Sequence, residues 1–277
     1  MTDLKTYYFY SSKTQFENIG DALIARELLR FVRKKTNYFL VDDRSTPSNF
    51  KKLIDLMDEE SSSKCGGFKR RLIKNLLVGK NCVYVFKPGH VFKNKFTISD
   101  LAYYFFFISL GLLGLRYVQY GCSIGPLDKW NLFFSRLMSP FYLDRTARED
   151  YSILFLSENR IDTVRYFPDL AFLLNFRPKL TKEEGFFCFS FRTGTINADD
   201  DGYTAKIEKI LLNKNLPFLS SKKIKVCSQV ERDSTYMRAL AEVFGVEQEN
   251  KAFFDDSVCS VDAFLDFYDD VDFVISQ

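Results

Sequence analysis

Apolar and polar positions alternate along the chain in blocks typical of strands followed by helices. The apolar runs Thr6 to Tyr10 and Cys82 to Lys87 predict buried strands, whereas the three- and four-residue apolar spacing over 21–35 predicts an amphipathic helix. The other predicted strands are 38–42, 115–121, 141–145, 164–167, 186–191, 223–228, 252–254 and 271–276, and the other predicted helices are 48–60, 98–113, 128–138, 148–157, 203–213, 233–244 and 260–268. This alternation predicts an α/β fold with mainly parallel, doubly wound, Rossmann-like sheets.

The strand and helix pattern is interrupted once, by a polar segment that contains a proline. We interpret residues 177–185 as a linker between an N-terminal Rossmann-like domain, 1–176, and a C-terminal Rossmann-like domain, 186–277. A chain of 277 residues is long enough to build a core in each. The last predicted strand has no helix after it, so we expect the second domain to be incomplete through truncation.

Composition and charge exclude several classes of protein. The net charge is +3 without a stripe of lysine and arginine, so nucleic-acid binding is not expected. The six cysteines lie far apart and His90 is the only histidine, which favours free thiols and argues against a metal site. The start of the chain has no signal-peptide pattern, and we expect a cytoplasmic protein.

Two segments bear on membrane contact. The apolar run Leu101 to Leu115 is shorter than the roughly 20 residues of a bilayer span, so we interpret it as a buried helix leading into a strand. The basic run Lys64 to Lys80 has two interpretations. A solvated amphipathic helix is favoured by its apolar positions, and a flap that attracts phosphate or anionic lipid at the inner face of the membrane is the alternative.

Two glycine-containing stretches carry the candidate chemistry. Tyr120 to Leu127 contains two glycines and a proline after an apolar strand, and Asn18-Ile19-Gly20-Asp21 opens the first predicted helix. Turns of this kind bring backbone N–H groups close to an anion, although they also serve as plain connections between strands and helices. Ligands of doubly wound sheets bind at the carboxyl ends of strands. That rule selects 20–21, 89–90, 121–125, 145–152, 168–169, 192–195 and 229–233.

Five short motifs, in their chain order, resemble those of the polysaccharide pyruvyl transferase family. They are Asn-x-Gly-Asp at 18–21, Tyr-Gly-x-Ser-Ile-Gly-Pro at 120–126, Arg-Glu-x-x-Ser at 148–152, Pro-Asp-Leu-Ala-Phe at 168–172 and Gln-x-x-x-Asp at 229–233. The resemblance covers residues 8–276 and implies two Rossmann-like domains in a GT-B-like arrangement. It further implies transfer of the enolpyruvyl unit of phosphoenolpyruvate to a sugar of a cell-surface polysaccharide or exopolysaccharide, as a pyruvate ketal and without a cofactor.

The resemblance also implies a set of site residues. Asp21 is expected to orient the acceptor or act as base, and His90, which stands where the family has a second glycine, is the candidate acid. Phosphoenolpyruvate carries a phosphate and a carboxylate, so Arg192 and then Arg148 are its expected anchors. The other expected substrate contacts are Asn18, Gly20, Gly121, Ser123, Gly125, Ser152, Asp169 and Gln229. Each has a plainer interpretation as a helix cap, turn former or surface ion pair.

The predicted partners are phosphoenolpyruvate and a saccharide or lipid-linked saccharide acceptor. Two other functions remain open. One is a sugar-nucleotide-dependent GT-B glycosyltransferase. The other is a non-catalytic saccharide-binding relic, because the Arg-x-His motif expected after the last strand is not in the printed sequence.

Overall fold

The computed structural model describes residues 5–36, 38–65, 67–93, 95–161, 164–174, 185–190, 223–254 and 260–276. The chain divides into two compact units. Unit 1 comprises Met1–Thr14 and Leu23–Leu174, and unit 2 comprises Gln15–Ala22 and Asn175–Gln277. The predicted domain boundaries place residues 15–22 in the first domain, whereas here they belong with unit 2. The predicted linker lies outside the described residues except for residue 185.

Unit 1 is built on a parallel sheet of seven described strands. They are β1 (Thr6–Ser11), β2 (Phe39–Asp42), β3 (Asn81–Phe86), β4 (Gly89–Lys93), β5 (Arg116–Leu127), β6 (Tyr142–Ala147) and β7 (Val164–Tyr166), in the order β2-β1-β3-β5-β6-β7. Strand β4 pairs with the second half of β5, beyond the end of β3.

Most α-helices of unit 1 lie close to their predicted bounds, but the predicted helix 48–60 is wrong in its second half, because the helix that begins at Ser48 ends at Leu53. The α-helices are α1 (Ile19–Arg33, whose first four residues belong to unit 2), α2 (Ser48–Leu53), α3 (Ser62–Cys65), α4 (Phe68–Leu77), α5 (Ile98–Leu112), α6 (Lys129–Met138) and α7 (Asp150–Glu158). Short 3-10 turns cover Asp58–Glu60, Ser139–Phe141 and Leu170–Leu173. Thr97 caps α5 in a capping box with Asp100, and the Asp128 carboxylate accepts the Trp130 and Asn131 N–H groups at the start of α6.

Aromatic side chains fill much of the core of unit 1, as their abundance predicts. The Phe86 ring lies 5.1 Å from the Phe107 ring and 5.3 Å from the Tyr117 ring, centroid to centroid. Helix α5 buries one face against this cluster and leaves Phe105 and Leu112 exposed on the other. The expectation of a buried helix therefore holds for one face of α5 and is wrong for the other. Among the described residues, no helix has the length and apolarity needed to cross a membrane.

The basic run forms an amphipathic helix, which confirms the favoured interpretation. Helix α4 buries Phe68, Leu72 and Leu76, and its charged residues lie on the solvent side. The four cysteines whose side chains are described, Cys82, Cys122, Cys188 and Cys227, are buried and form no disulfide.

Unit 2 repeats the architecture on a smaller scale. Its described strands are β8 (Phe186–Ser190), β9 (Ile224–Ser228), β10 (Lys251–Phe253) and β11 (Val271–Ser276), all parallel in the order β10-β9-β8-β11. Its described helices are α8 (Ser234–Val243) and α9 (Val261–Asp266), with 3-10 turns at Glu231–Asp233 and Gln248–Asn250. Both units are thus α/β with parallel sheets, and the predicted fold class is confirmed. The predicted helix 203–213 lies outside the described residues.

One local prediction fails in unit 1. Tyr120 to Leu127 is not a turn but the second half of β5, and it pairs with β4 on one side and β6 on the other. Gly121 and Gly125 adopt φ of 59° and 106°, and the pairing with β6 shifts register between Gln119 and Cys122. The glycines therefore permit an irregular strand inside the sheet rather than a connection to the next helix.

Candidate functional site

The guanidinium of Arg148 is the centre of the candidate site in unit 1. Arg148 Nε donates to Ser123 Oγ at 2.7 Å, and Nη2 lies 2.8 Å from His90 Nε2. Nη1 forms an ion pair with Asp169. Three predicted residues, from two other motifs and the His90 loop, therefore meet around the Arg148 side chain. We call Arg148, Ser123, His90 and Asp169 the arginine cluster.

The parallel sheet explains why these residues meet. His90 on β4 is paired with Ser123 on β5, and Cys122 is paired with Ala147 at the end of β6. The next residue, Arg148, donates its backbone N–H to the Cys122 carbonyl at 3.1 Å. The carboxyl ends of neighbouring parallel strands share one edge, so residues far apart in sequence converge there.

Arg148 and His90 share one hydrogen bond in this geometry. Arginine has only N–H donors, so the hydrogen bond from Arg148 requires His90 Nε2 to accept. The predicted acid role of His90 remains a prediction.

Arg148 keeps the capacity to bind a ligand. Its side chain has five N–H groups, and the bonds to Ser123, His90 and Asp169 account for three of them among the described residues. About 18% of the side chain is exposed. Within the described parts of the chain, two N–H groups thus remain for an anion that approaches from solvent. Arginine suits a carboxylate or phosphate because its planar fork matches both groups.

Further hydrogen bonds fix the start of α7 beside the cluster. The Ser152 hydroxyl donates to Glu149 Oε1 at 2.9 Å and accepts the Ile124 backbone N–H at 2.8 Å. Burial alone would raise the pKa of Glu149, but hydrogen bonds from Ser123 and Ser152 and the charge of Arg148 together lower it. Glu149 is therefore a carboxylate at neutral pH and adds to the electrostatic support of Arg148.

Several predicted contacts also have clear structural roles. Ser123 and Ser152 are fully buried, so in this conformation they position Arg148 and Glu149. Asp169 Oδ1 accepts the Ala171 N–H at 3.0 Å and caps a 3-10 turn while Oδ2 pairs with Arg148. A Cβ on Gly125 would come within 2.7 Å of the Phe155 ring. The predicted substrate contacts at these positions remain predictions.

Apart from Gly121, which lies on β5, the other predicted site residues lie in unit 2. Asn18 pairs with Val230 in an antiparallel bridge, and the Ile19 N–H donates to the Gln229 carbonyl at 3.0 Å. The Asn18 side chain accepts the Gly20 N–H at 2.9 Å, and Asp21 lies in the first turn of α1. The structure thus brings Asn18, Gly20 and Asp21 beside Gln229, two motifs about 200 positions apart. Arg192 lies outside the described residues.

The comparisons with known proteins place the chain in a family. The family model described as polysaccharide pyruvyl transferase matches residues 18–277. The chain belongs to the polysaccharide pyruvyl transferase family. Membership supports pyruvyl transfer and a saccharide acceptor in general terms. No curated protein matched this chain in sequence.

Three solved structures are similar in outline to this pyruvyl transferase family member. A functionally uncharacterised Klebsiella pneumoniae protein is 16% identical, with a TM-score of 0.40 and coverage of 98% of this chain and 94% of that one. An S. aureus MnaA–UDP co-structure is 11% identical, with a TM-score of 0.48 and coverage of 98% and 74%. A putative UDP-N-acetylglucosamine 2-epimerase from Listeria monocytogenes is 10% identical, with a TM-score of 0.49 and coverage of 100% and 74%. Likeness at these TM-scores supports no functional conclusion.

Sequence reasoning did not single out Arg145. It is 5% exposed on β6, and its Nε donates to Gln119 Oε1 at 3.1 Å. The strand-end rule includes position 145 within a longer segment, but only the structure shows that this cation is buried beside a cavity. Within the part of the chain that the structure describes, no three His, Cys, Asp or Glu side chains are grouped to hold a metal ion.

Proposed function

We propose that this chain transfers the enolpyruvyl unit of phosphoenolpyruvate to two hydroxyls of one sugar unit, forming a pyruvate ketal and inorganic phosphate. The C2–O bond to phosphate breaks, and two C2–O bonds to the sugar form. One hydroxyl proton is taken up at C3, which becomes a methyl group, and the other leaves with the phosphate. No cofactor is needed, because the donor supplies its own leaving group.

The observation that carries the proposal is the arginine cluster in a member of this family. Phosphoenolpyruvate is a small polyanion, and Arg148 offers it two N–H groups from a guanidinium already oriented by three side chains. His90 Nε2 is a suitable acceptor for a hydroxyl proton once the incoming anion competes for the Arg148 donors. Asp169 fixes the guanidinium through an ion pair, and the positive charge of Arg148 helps to keep Glu149 ionised beside it.

The finer features of the reaction belong to the same proposal. Asn18, Gly20, Asp21 and Gln229 in unit 2, together with Arg192, are proposed contacts for the donor or the acceptor. The acceptor is proposed to be a saccharide of a cell-surface polysaccharide, presented on the cytoplasmic side as a lipid-linked or soluble precursor. These assignments rest on the family resemblance of the motifs.

The test is phosphate release that depends on both donor and acceptor. The full chain is incubated with phosphoenolpyruvate and a panel of mono- and disaccharide acceptors, and the ketal product is identified by mass spectrometry. Arg148→Lys should lower kcat/KM for phosphoenolpyruvate by about 100-fold, because an ammonium cannot replace a bidentate fork. The matched control is Arg136→Lys on α6, whose Nε bonds the Asn159 carbonyl, and this change should leave the rate unaltered.

Three results would count against the proposal. Acceptor-dependent nucleotide release from a UDP-sugar, without phosphate release from phosphoenolpyruvate, would favour a glycosyltransferase. Saccharide binding without turnover of either donor would favour a non-catalytic binding protein. Equal activity of Arg148→Lys and Arg136→Lys would remove the arginine cluster from the reaction.

A further inference from the structure

A cavity of about 330 Å³ lies between the sheet of unit 1 and helices α5 and α6. Its described lining comes from β3, β4, α5, β5, α6 and β6, and aromatic side chains form much of the wall. Phe86, Tyr103, Tyr104 and Tyr142 are among them. We call it the aromatic cavity. Its volume is within the usual range for pockets that bind small molecules.

The aromatic cavity contains a buried cation that has no counterion among the described lining residues. Arg145 bonds Gln119 through Nε, and its guanidinium carbon lies 4.6 Å from the Tyr142 ring centroid. Its Nη1 is buried and has no hydrogen-bond partner in the described parts of the chain. No Asp or Glu occurs in the described lining, although Lys87 adds a second positive charge at the rim. Burial raises the pKa of Tyr142 while Arg145 opposes that rise, so phenolate formation does not neutralise the site.

An unpaired guanidinium in an apolar wall is costly to bury, and a bound anion would remove that cost. Arg145 is also held rigidly, by Gln119 on one side and the Tyr142 ring on the other. A rigid cation with an unused N–H is suited to a carboxylate or phosphate group. The ligand of the aromatic cavity should therefore carry one anionic group at the Arg145 end.

The rest of the wall indicates the body of the ligand. Tyrosine rings present apolar faces together with hydroxyls, and Ser135 and Gln119 add hydrogen-bonding groups. A sugar ring matches such a wall, because its C–H faces pack on aromatic rings while its hydroxyls need polar partners. A cavity of about 330 Å³ has room for a single ring and not for an oligosaccharide.

We propose that the aromatic cavity binds an acidic sugar unit, such as a uronic acid, with its carboxylate on Arg145. His90 lines the cavity and also contacts Arg148, so a sugar seated there has its hydroxyls beside the arginine cluster. The acidic sugar is then the acceptor unit or its immediate neighbour. This last step rests on the proposed function, whereas the binding itself does not.

The binding test uses the full chain with D-glucuronate as probe and D-glucose as its neutral counterpart, without phosphoenolpyruvate. Calorimetric titration and thermal shift should show binding of glucuronate at least about tenfold tighter than glucose, because only the anion pairs with Arg145. Arg145→Gln keeps a partner for Gln119 but removes the charge, and it should abolish this preference. Arg145→Lys should retain part of it. Arg165→Gln, which removes an exposed arginine from the neighbouring strand, is the matched control and should bind normally.

Further arms separate this proposal from its competitors. Benzoate that binds through Arg145 while glucuronate does not would overturn the sugar assignment. Phosphoenolpyruvate that displaces glucuronate one for one would place the donor, not a sugar, in the aromatic cavity. Glucuronate binding that survives Arg145→Gln would overturn the anchor. Arg145-dependent binding without pyruvyl transfer would support the aromatic cavity and count against the proposed reaction. Pyruvyl transfer to neutral sugars without glucuronate binding would support the proposed reaction and count against the aromatic cavity as an acidic-sugar site.

Discussion

Asp43, directly after β2, is a buried carboxylate of unit 1 that accepts several hydrogen bonds. It is fully buried and accepts hydrogen bonds from Lys51 Nζ at 2.6 Å, Ser61 Oγ at 2.7 Å, and the Ser63 N–H and Oγ at 2.9 and 2.8 Å. Burial alone would raise the pKa of Asp43, but these bonds together hold it well below its usual range. These hydrogen bonds link the end of β2 to residues 61–63, which precede α4. They depend on the negative charge of the Asp43 carboxylate.

Asp43→Asn should lower the free energy of unfolding by about 3 kcal/mol at pH 7, because the partly exposed Lys51 ammonium and several hydroxyl donors lose a charged acceptor that is itself fully buried. The folded pKa lies below the unfolded value of about 4, so the stabilisation is complete above pH 4 and is lost as the pH falls below it. Urea denaturation from pH 3 to pH 8 should show a constant gap between the two proteins above pH 5 and a shrinking gap below pH 4. Asp42→Asn, beside the exposed Arg44, should cost less than about 1 kcal/mol. A gap independent of pH throughout would contradict the charge-based account.

Gly125 gives a test of why β5 carries glycines. Gly125→Ala should destabilise the protein by about 3 kcal/mol, because φ is 106° and the new Cβ would meet the Phe155 ring at 2.7 Å. Gly114→Ala is the matched control, since its φ is 99° but no atom lies within 4 Å of the added Cβ. Denaturant unfolding of both variants should give a lower free energy of unfolding for Gly125→Ala, and the difference measures the cost of the steric overlap. Equal costs would mean that Phe155 moves aside freely.

The candidate site was predictable in its members but not in its geometry. The motif residues Ser123, Arg148 and Asp169 meet because the ends of parallel strands converge, a rule that needs only the strand order. The sequence does not predict that Ser123 is buried or that His90 Nε2 contacts Arg148, because both depend on which atoms face each other across the strands. Arg145 was missed for the same reason. A buried cation is recognised by its surroundings in space, which local patterns do not encode.

Secondary elements were predicted well where periodicity was strong and poorly where glycine interrupted it. Helices α1, α5 and α6 begin and end within two residues of their predicted bounds, because their apolar spacing is unambiguous. The second half of β5 was predicted as a turn, and β4 was not predicted at all. Both segments are strands because they pair with each other, and glycine composition gives no sign of such long-range pairing.

Helix α5 offers a direct comparison between its two faces. Phe107 is 7% exposed and its ring packs against Tyr84, Phe86 and Tyr117, whereas Phe105 is 69% exposed. Phe107→Ala should lower the free energy of unfolding by about 3–5 kcal/mol, and Phe105→Ala should change it by less than about 0.5 kcal/mol. Thermal and denaturant unfolding measure both. A large loss from Phe105→Ala would mean that its exposed face packs against something in solution, such as a second copy of the chain.

The division of the whole chain into units does not follow the order of the sequence. Residues Gln15–Ala22 belong to unit 2, where Asn18 bridges Val230 and the Glu231 N–H donates to the Glu17 carbonyl at 2.9 Å. The segment is flanked on both sides by unit 1 residues. A boundary read along the chain assigns it to the first domain, since contacts between positions about 200 residues apart leave no local signal.

Hydrogen exchange can test this assignment. The amide of Ile19 donates to the Gln229 carbonyl at 3.0 Å, so its protection should follow the opening of unit 2. Met237→Ala removes a fully buried side chain from the core of unit 2, should destabilise that unit by about 3 kcal/mol, and should speed exchange at Ile19 and Glu231. Leu72→Ala makes a comparable cavity in the core of unit 1 and should speed exchange in the β1–β3 region while leaving these two amides little changed. If Leu72→Ala accelerates Ile19 and Met237→Ala does not, the segment is stabilised by unit 1, and the proposed placing of Asn18, Gly20 and Asp21 beside Gln229 loses its support.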